Sequence, residues 1–186
     1  MGRGRAIFID MHFADPKANV LQLGLREGMK IGDFGAGSGH YALAASAAVG
    51  EDGKVYAVDI QEDILAHIKD IARTKGIGNI ETVWGNVEKK GGSRLRDQFL
   101  DGLILSNIFF QVQSRDGIVA EAKRVLKPEG KLLLIDWAGA YGGIGPDPKA
   151  VISEHAAEDL FISAGFHKVK SFRAGPHHYG LVFTAP

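Results

Sequence analysis

Between an apolar run, MKIGDF, and an alanine-rich one, YALAASAAV, the chain reads DFGAGSGHY over Asp33 to Tyr41. Glycines at 35, 37 and 39 leave main chain bare, at an entropic cost that a ligand-binding turn justifies. A strand-to-helix turn of this kind lets a ligand lie against the backbone. Its spacing discriminates among ligands. A P-loop ends in Gly-Lys-Ser/Thr to hold phosphate and magnesium, whereas this turn continues Ser38-Gly39-His40 with no lysine. A dinucleotide fingerprint, G-x-G-x-x-G/A, needs a small residue at its sixth place, which here is His40, so a nicotinamide-dependent reductase is disfavoured. Asp59 ends VYAVD about 20 residues further on, where an acid meets a ribose diol in doubly wound nucleotide-binding sheets. Its alternative role is to cap a helix beginning near Gln61 or Glu62. Together the two features imply a nucleoside cofactor that lacks pyrophosphate.

The elements that position these residues follow from hydrophobic pattern. Apolar β-prone runs at 29–34, Val55–Asp59, Ile80–Trp84, Gly102–Ser106 and Lys131–Asp136 alternate with helical patterns, the signature of a parallel sheet with crossover helices. Ile64, Leu65, Ile68, Ile71 and Ala72 recur at helical spacing, as do Ile118, Val119, Ala122, Val125 and Leu126. The second of these helices is expected to start after Ser114 and to stop before Lys127-Pro128-Glu129-Gly130. A helix near Lys149–Ala164 then leads to two β-prone runs, HKVKSFR and YGLVFTA, whose tight connection AGPHH requires antiparallel pairing. The preceding WAGAYGGIGPDP reads as a loop or an active-site lid.

Composition bounds the setting. The chain has 186 residues, 45% hydrophobic and 24% charged, which suits one globular domain with a proper core. It has no cysteine and no apolar run of membrane-spanning length, so a soluble cytoplasmic protein is expected, without a membrane. Lys+Arg and Asp+Glu balance at 22 each, leaving no global field to recruit nucleic acid. The two arginines of MGRGR fit a solubilising terminus.

Five stretches in order, DFGAGSG, VYAVDI, WGNVE, SNIFFQV and RVLKPEGKLLLIDW, make the chain resemble the class I S-adenosylmethionine-dependent methyltransferases, and among them the type 11 or ubiquinone/menaquinone-biosynthesis-like members. The resemblance covers Gly28 to Trp137 and continues by topology. It implies an α/β fold, a doubly wound, mostly parallel seven-stranded sheet of order 3-2-1-4-5-7-6 with strand 7 antiparallel. One methyltransferase domain would then span 1–186: an N-terminal segment 1–28, a cofactor-binding core 29–137, and a lid loop, last helix and hairpin over 138–186.

The resemblance also implies site roles. Gly35, Ala36, Gly37 and Gly39 would let the methionine part of S-adenosyl-L-methionine lie against the backbone, and Asp33 would bind its ammonium. Asp59 would hold the ribose, Ile60 would cover one face of the adenine, the turn Gly85-Asn86-Val87 would meet its edge, and Gln61 would be a further cofactor-binding residue. Many members have Asp where this chain has Asn86, whose amide oxygen could still pair with the adenine amino group. Ser106 and Asn107 would end the fourth strand beside the methyl group. Ser-Asn-Ile-Phe there departs from the Asn/Asp/Ser-Pro-Pro-aromatic motif of adenine-directed enzymes, so a nucleic-acid acceptor loses support and a small-molecule acceptor, methylated at O, N or C, is expected. With a parallel sixth strand, AGPHH lies at the cofactor edge, making His177, His178 and Asp136 the candidate catalytic groups, with His40 and His155 nearby and Trp137 and Tyr141 as walls. Adjacent histidines converge poorly on one ion, so no metal is expected. The absence of a capping domain predicts an open site unless IFIDMHFADP or loop 138–148 folds over it, or a homodimer completes it. A non-catalytic cofactor-binding partner module is the remaining alternative.

Overall fold

The computed structural model describes residues 14–141 and 145–186. Seven strands form one sheet: β1 Lys30–Phe34, β2 Lys54–Asp59, β3 Ile80–Trp84, β4 Leu100–Ser106, β5 Leu126–Trp137, β6 His167–Gly175 and β7 His178–Thr184. Their order is β3-β2-β1-β4-β5-β7-β6. The β1–β2, β1–β4, β2–β3 and β4–β5 pairs are parallel, while β7 runs antiparallel to both β5 and β6. The sheet expected from the resemblance is therefore the one observed. Because His178 pairs with Trp137 at the end of β5, the β6–β7 turn lies at the carboxyl edge.

Helices cover both faces, and alternation along each strand decides which core a residue joins. On one face α1 Pro16–Val20, α2 His40–Val49 and α3 Glu62–Thr74 bury Val20, Ala42, Ala45, Val49 and Ile68 against Ile31, Val55, Ile104 and Leu133. On the other, α4 Arg115–Val125 and α5 Glu154–Ser163 bury Ile118, Val125 and Phe161 against Leu103, Leu105, Leu134 and Phe183. Phe161 stacks on Phe109 and Phe183 at 5.8 and 4.7 Å between centroids, and truncating it to Ala removes contacts worth about 3–5 kcal/mol.

Ser114 caps α4 as expected, its hydroxyl accepting Gly117 N–H at 3.1 Å. The expected helix from Lys149 starts instead at Glu154, where Ser153 accepts Ala156 N–H. Asp147 accepts Lys149 N–H in a turn that keeps the intervening residues out of the helix. Segment 1–13 and residues 142–144 lie outside the described residues, and with them most of IFIDMHFADP and part of loop 138–148. Among the described residues no helix is long and apolar enough to cross a membrane.

Candidate active site

The glycine turn leaves β1 with Gly35, Gly37 and Gly39 all in the left-handed region, at φ of 68, 49 and 78°. The three glycines do different work. A Cβ on Gly35 would strike Ile108 Cδ1 at 2.5 Å, and one on Gly39 would strike Ile68 Cγ1 at 2.9 Å, so these two permit close packing. A Cβ on Gly37 would meet nothing nearer than Gly35 O at 3.8 Å, so Gly37 presents open backbone to a cavity. Ala36 is buried in the core beside the turn.

That cavity, about 250 Å³, opens between the glycine turn, the end of β2 and the loop after β3. Of the residues singled out from sequence, Gly35, Gly37, Asp59, Ile60, Gln61, Asn86 and Val87 line it. Asp33, Ala36, Gly39, Ser106 and Asn107 do not, whereas Glu88, Ile108, Gln111 and Val112 close its far side. All four fall within the stretches WGNVE and SNIFFQV, but no role was assigned to them, because a loop following a strand carries no periodic signal.

Asp59 serves as a brace as well as a lining residue. Its two carboxylate oxygens accept Gly37 N–H at 3.1 Å and Gln61 N–H at 3.0 Å, tying the glycine turn to the start of α3. The backbone between is held from outside by Trp84, whose indole N–H donates to Ile60 O at 2.9 Å while Arg94 lies 4.7 Å over its ring. The loop after β3 is fastened at both ends. Glu88 accepts Gln113 and Ser114 N–H at 2.9 and 2.7 Å, and fully buried Glu121 accepts Gly91 N–H, Ser93 N–H and the Ser93 hydroxyl. Although burial alone would raise it, hydrogen bonds from Arg124 and Ser93 hold the Glu121 carboxyl down at about 2.

The remaining polar candidates gather at the carboxyl ends of the strands. Asp33 ends β1 almost fully buried, and burial pushes its carboxyl up to about 7, against the Ala42 amide and with the Asp59 charge adding to the rise. Its Oδ2 has no hydrogen-bond partner. Tyr41 accepts from buried Asn19 at 3.0 Å, and Asn19 also donates to Ala174 O, so α1 is tied to this edge. Asn107 sits at φ 54°, a strained conformation for a residue with a side chain, with its Oδ1 buried and unpartnered. Asp136 accepts Phe109 and Trp137 N–H at 3.0 and 2.8 Å, and burial raises its carboxyl to about 6. In the β6–β7 turn His177 packs on Tyr141 at 4.2 Å and His178, 2% exposed, on Trp137 at 4.4 Å. Two further histidines are exposed: His40, just after the glycine turn, lies near Ser38 Oγ, and His155 lies beside Asp159 on α5.

Comparison with known proteins agrees with this geometry. Residues 25–170 match the family described as methyltransferase domain. A solved S-adenosylmethionine-dependent methyltransferase from Aquifex aeolicus is 30% identical, superposes with a TM-score of 0.86, and the match covers 95% of this chain and 92% of that one. The ubiquinone/menaquinone biosynthesis C-methyltransferase UbiE of Shewanella pealeana is 34% identical over 62% of this chain and 45% of its own length. Its Francisella tularensis subsp. holarctica counterpart is 32% identical over 66% and 48%. The chain thus spans about half the length of the curated relatives it matches. From the sheet order, the glycine turn and these matches together, the chain belongs to the class I S-adenosylmethionine-dependent methyltransferases, with type 11, UbiE-like relatives.

Proposed function

We propose that this protein transfers the methyl group of S-adenosyl-L-methionine to a small-molecule acceptor held at the carboxyl edge of the sheet, beside β4, β5 and the β6–β7 turn. When bound, the cofactor supplies a methyl group on a positively charged sulfur, an electrophile suited to in-line displacement. The residues present fit it: Gly37 offers open backbone on the cavity wall, Asp33 keeps a buried oxygen for an ammonium, and each Asp59 oxygen retains a lone pair for a hydroxyl. Ile60 and Val87 give a base apolar cover.

The observation that carries this reading is where unpartnered buried polar atoms occur. Asp33 Oδ2, Asn107 Oδ1, His177 Nδ1 and the Tyr179 hydroxyl lie at or near the ends of β1 and β4, in the β6–β7 turn and near the start of β7, while Thr82 Oγ1, inside β3, is a buried unpartnered atom away from that edge. Each such atom costs about 1–3 kcal/mol unless a ligand or water meets it, and a cofactor and acceptor side by side along that edge would meet them. His177 is the base for an acceptor that must lose a proton, while Asp136 and His178 position the loop and the turn around it. The names of the Shewanella and Francisella relatives, which are C-methyltransferases of ubiquinone/menaquinone biosynthesis, favour a ring-carbon acceptor, as do the rings of Trp137 and Tyr141. Residues 1–186 act in this reading as one domain in the cytoplasm. Incubation with methyl-labelled S-adenosylmethionine and a panel of hydroquinones, phenols, thiols and amines tests it. Label is expected in the ring compounds, and a protein that binds NAD(P)H but leaves every acceptor unlabelled would overturn the proposal.

A further inference from the structure

A separate cavity of about 310 Å³ opens at the same edge of the sheet, shares no lining residue with the cofactor cavity, and lies on the β5, β7 and β6 side. Its walls come from Ala138 after β5, the first turn of α5 at Glu154, and the β6–β7 hairpin through Phe172, Arg173, Pro176 and Tyr179. Because β6 runs parallel to β5, α5 begins at the carboxyl edge, which brings Glu154 to the hairpin. One polar atom in this wall has no use in the fold. Tyr179 is 4% exposed, and its buried hydroxyl has no hydrogen-bond partner. Burial, and then the nearby charges of Asp136 and Glu154, hold the proton on that hydroxyl, so it stays neutral. Phenylalanine would fill the same space without the cost of an unpaired buried hydroxyl, so the fold itself does not call for tyrosine here.

Glu154 and Arg173 bring opposite charges to the same cavity. Arg173 donates to Gly175 O and Pro176 O and so closes its own turn, while Glu154 is exposed at the helix start. A charged ligand group would meet one like charge here, whereas a hydroxyl can donate to Glu154 and exchange a hydrogen bond with Tyr179. Position along the edge adds a length. Asp136 pairs with Tyr179 across β5 and β7, and β4 is the next strand, so Tyr179 stands two strand spacings, about 10 Å, from the end of β4. We propose that this cavity recognises a hydroxyl on the far end of the acceptor, about 10 Å from the atom that receives the methyl group, with the Tyr179 hydroxyl as its recognition group. The acceptor is then a hydroxylated ring compound longer than a single ring. The proposal rests on the methyltransferase reading above and specifies the substrate class of that same edge.

The test is calorimetric titration of the full chain with S-adenosyl-L-homocysteine, and then of that complex with p,p′-biphenol, p-phenylphenol and p-(p-hydroxyphenyl)benzoate, in the wild type and in Tyr179→Phe. The two hydroxyls of p,p′-biphenol are about the required distance apart, and the other probes lack the far hydroxyl or replace it by a charge. The wild-type complex is expected to prefer p,p′-biphenol by roughly 10-fold over either of the others. Tyr179→Phe should bring p,p′-biphenol and p-phenylphenol to within about 3-fold of each other, and should melt no lower than the wild type because the lost hydroxyl has no partner. Equal wild-type affinity for those two probes, tighter binding of the benzoate, no binding of any probe, or a preference that survives in Tyr179→Phe overturns the inference while leaving the cofactor reading intact. A lower melting temperature in Tyr179→Phe also overturns it, since the hydroxyl then serves the fold. If S-adenosyl-L-homocysteine itself does not bind the wild type, the cofactor reading falls and this inference with it.

Discussion

Replacing Asp33 by Asn should move stability and ligand affinity in opposite directions. Asp33 is 2% exposed, and burial, opposed by the Ala42 amide and reinforced by Asp59, lifts its carboxyl from 3.8 to about 7. A carboxyl with a raised folded-state pKa favours the folded protein fully below 3.8, and that advantage is lost as pH rises through about 7. Roughly three pKa units correspond to about 4 kcal/mol of folding stability given up at pH 8, as an upper bound. Asparagine does not ionise, so Asp33→Asn removes that cost but buries an NH2 where Oδ2 stood, which returns about 1–2 kcal/mol of penalty. The net gain is about 2 kcal/mol, or roughly 5 °C in unfolding temperature for a chain of this size. At pH 4 the gain should vanish, since Asp33 is then protonated in the folded state. Affinity for S-adenosyl-L-homocysteine at pH 8 should fall by roughly 10- to 100-fold as the ammonium loses a charged partner. Calorimetric melts of the ligand-free proteins at pH 4 and 8, with titrations at pH 8, measure both. A variant that melts lower than wild type at pH 8 and binds the ligand equally well would refute the reasoning.

Asp59→Ala should weaken S-adenosyl-L-homocysteine binding by about 1–3 kcal/mol and also lower stability, because Gly37 and Gln61 N–H lose a charged acceptor; lost affinity at unchanged stability would show that the brace is unimportant. His177→Ala should cut turnover roughly 10²-fold while ligand affinity in calorimetry stays within a few fold, and His178→Ala, which empties space against Trp137, should show in the melting temperature as well. Glu121→Gln should destabilise the protein near pH 7 and flatten its acid unfolding. The depressed carboxyl of Glu121 stabilises the fold above 4.5, and that stability, up to about 3 kcal/mol, is lost as pH falls toward about 2. Denaturant midpoints at pH 7 and 3 would reveal the difference, and parallel wild-type and variant curves would count against the role assigned to Glu121.

The sheet was legible because its information is local. Runs such as GLILS and KLLLID are apolar on both faces, as buried parallel strands must be, and Gly35-Ala36-Gly37 marks its own turn. Asp59 could be placed by its distance from that turn, yet its double use as brace and lining residue needed the backbone amides of Gly37 and Gln61 brought together by folding. The clamps were not legible at all. Nothing local in Glu88, Glu121 or Trp84 shows the role each takes once partners far along the chain meet it. Lys149 to Ile152 fits a helical pattern locally, and the Asp147 turn with the Ser153 cap decides otherwise. Asn86 was read as an acceptor for the adenine amino group, and folding shows that its side-chain oxygen also accepts Glu88 N–H within its own loop.

Backbone amide hydrogen exchange with and without S-adenosyl-L-homocysteine tests most directly the claim that the cavity between the glycine turn and the β3 loop is the cofactor site. Protection should rise at Gly35 to Gly37, at Ile60 and Gln61 and at Asn86 to Glu88, which line the cavity or border its wall, while the β6 edge strand stays unchanged. Saturating ligand that leaves those three segments unprotected, or that protects a different surface, would contradict the account.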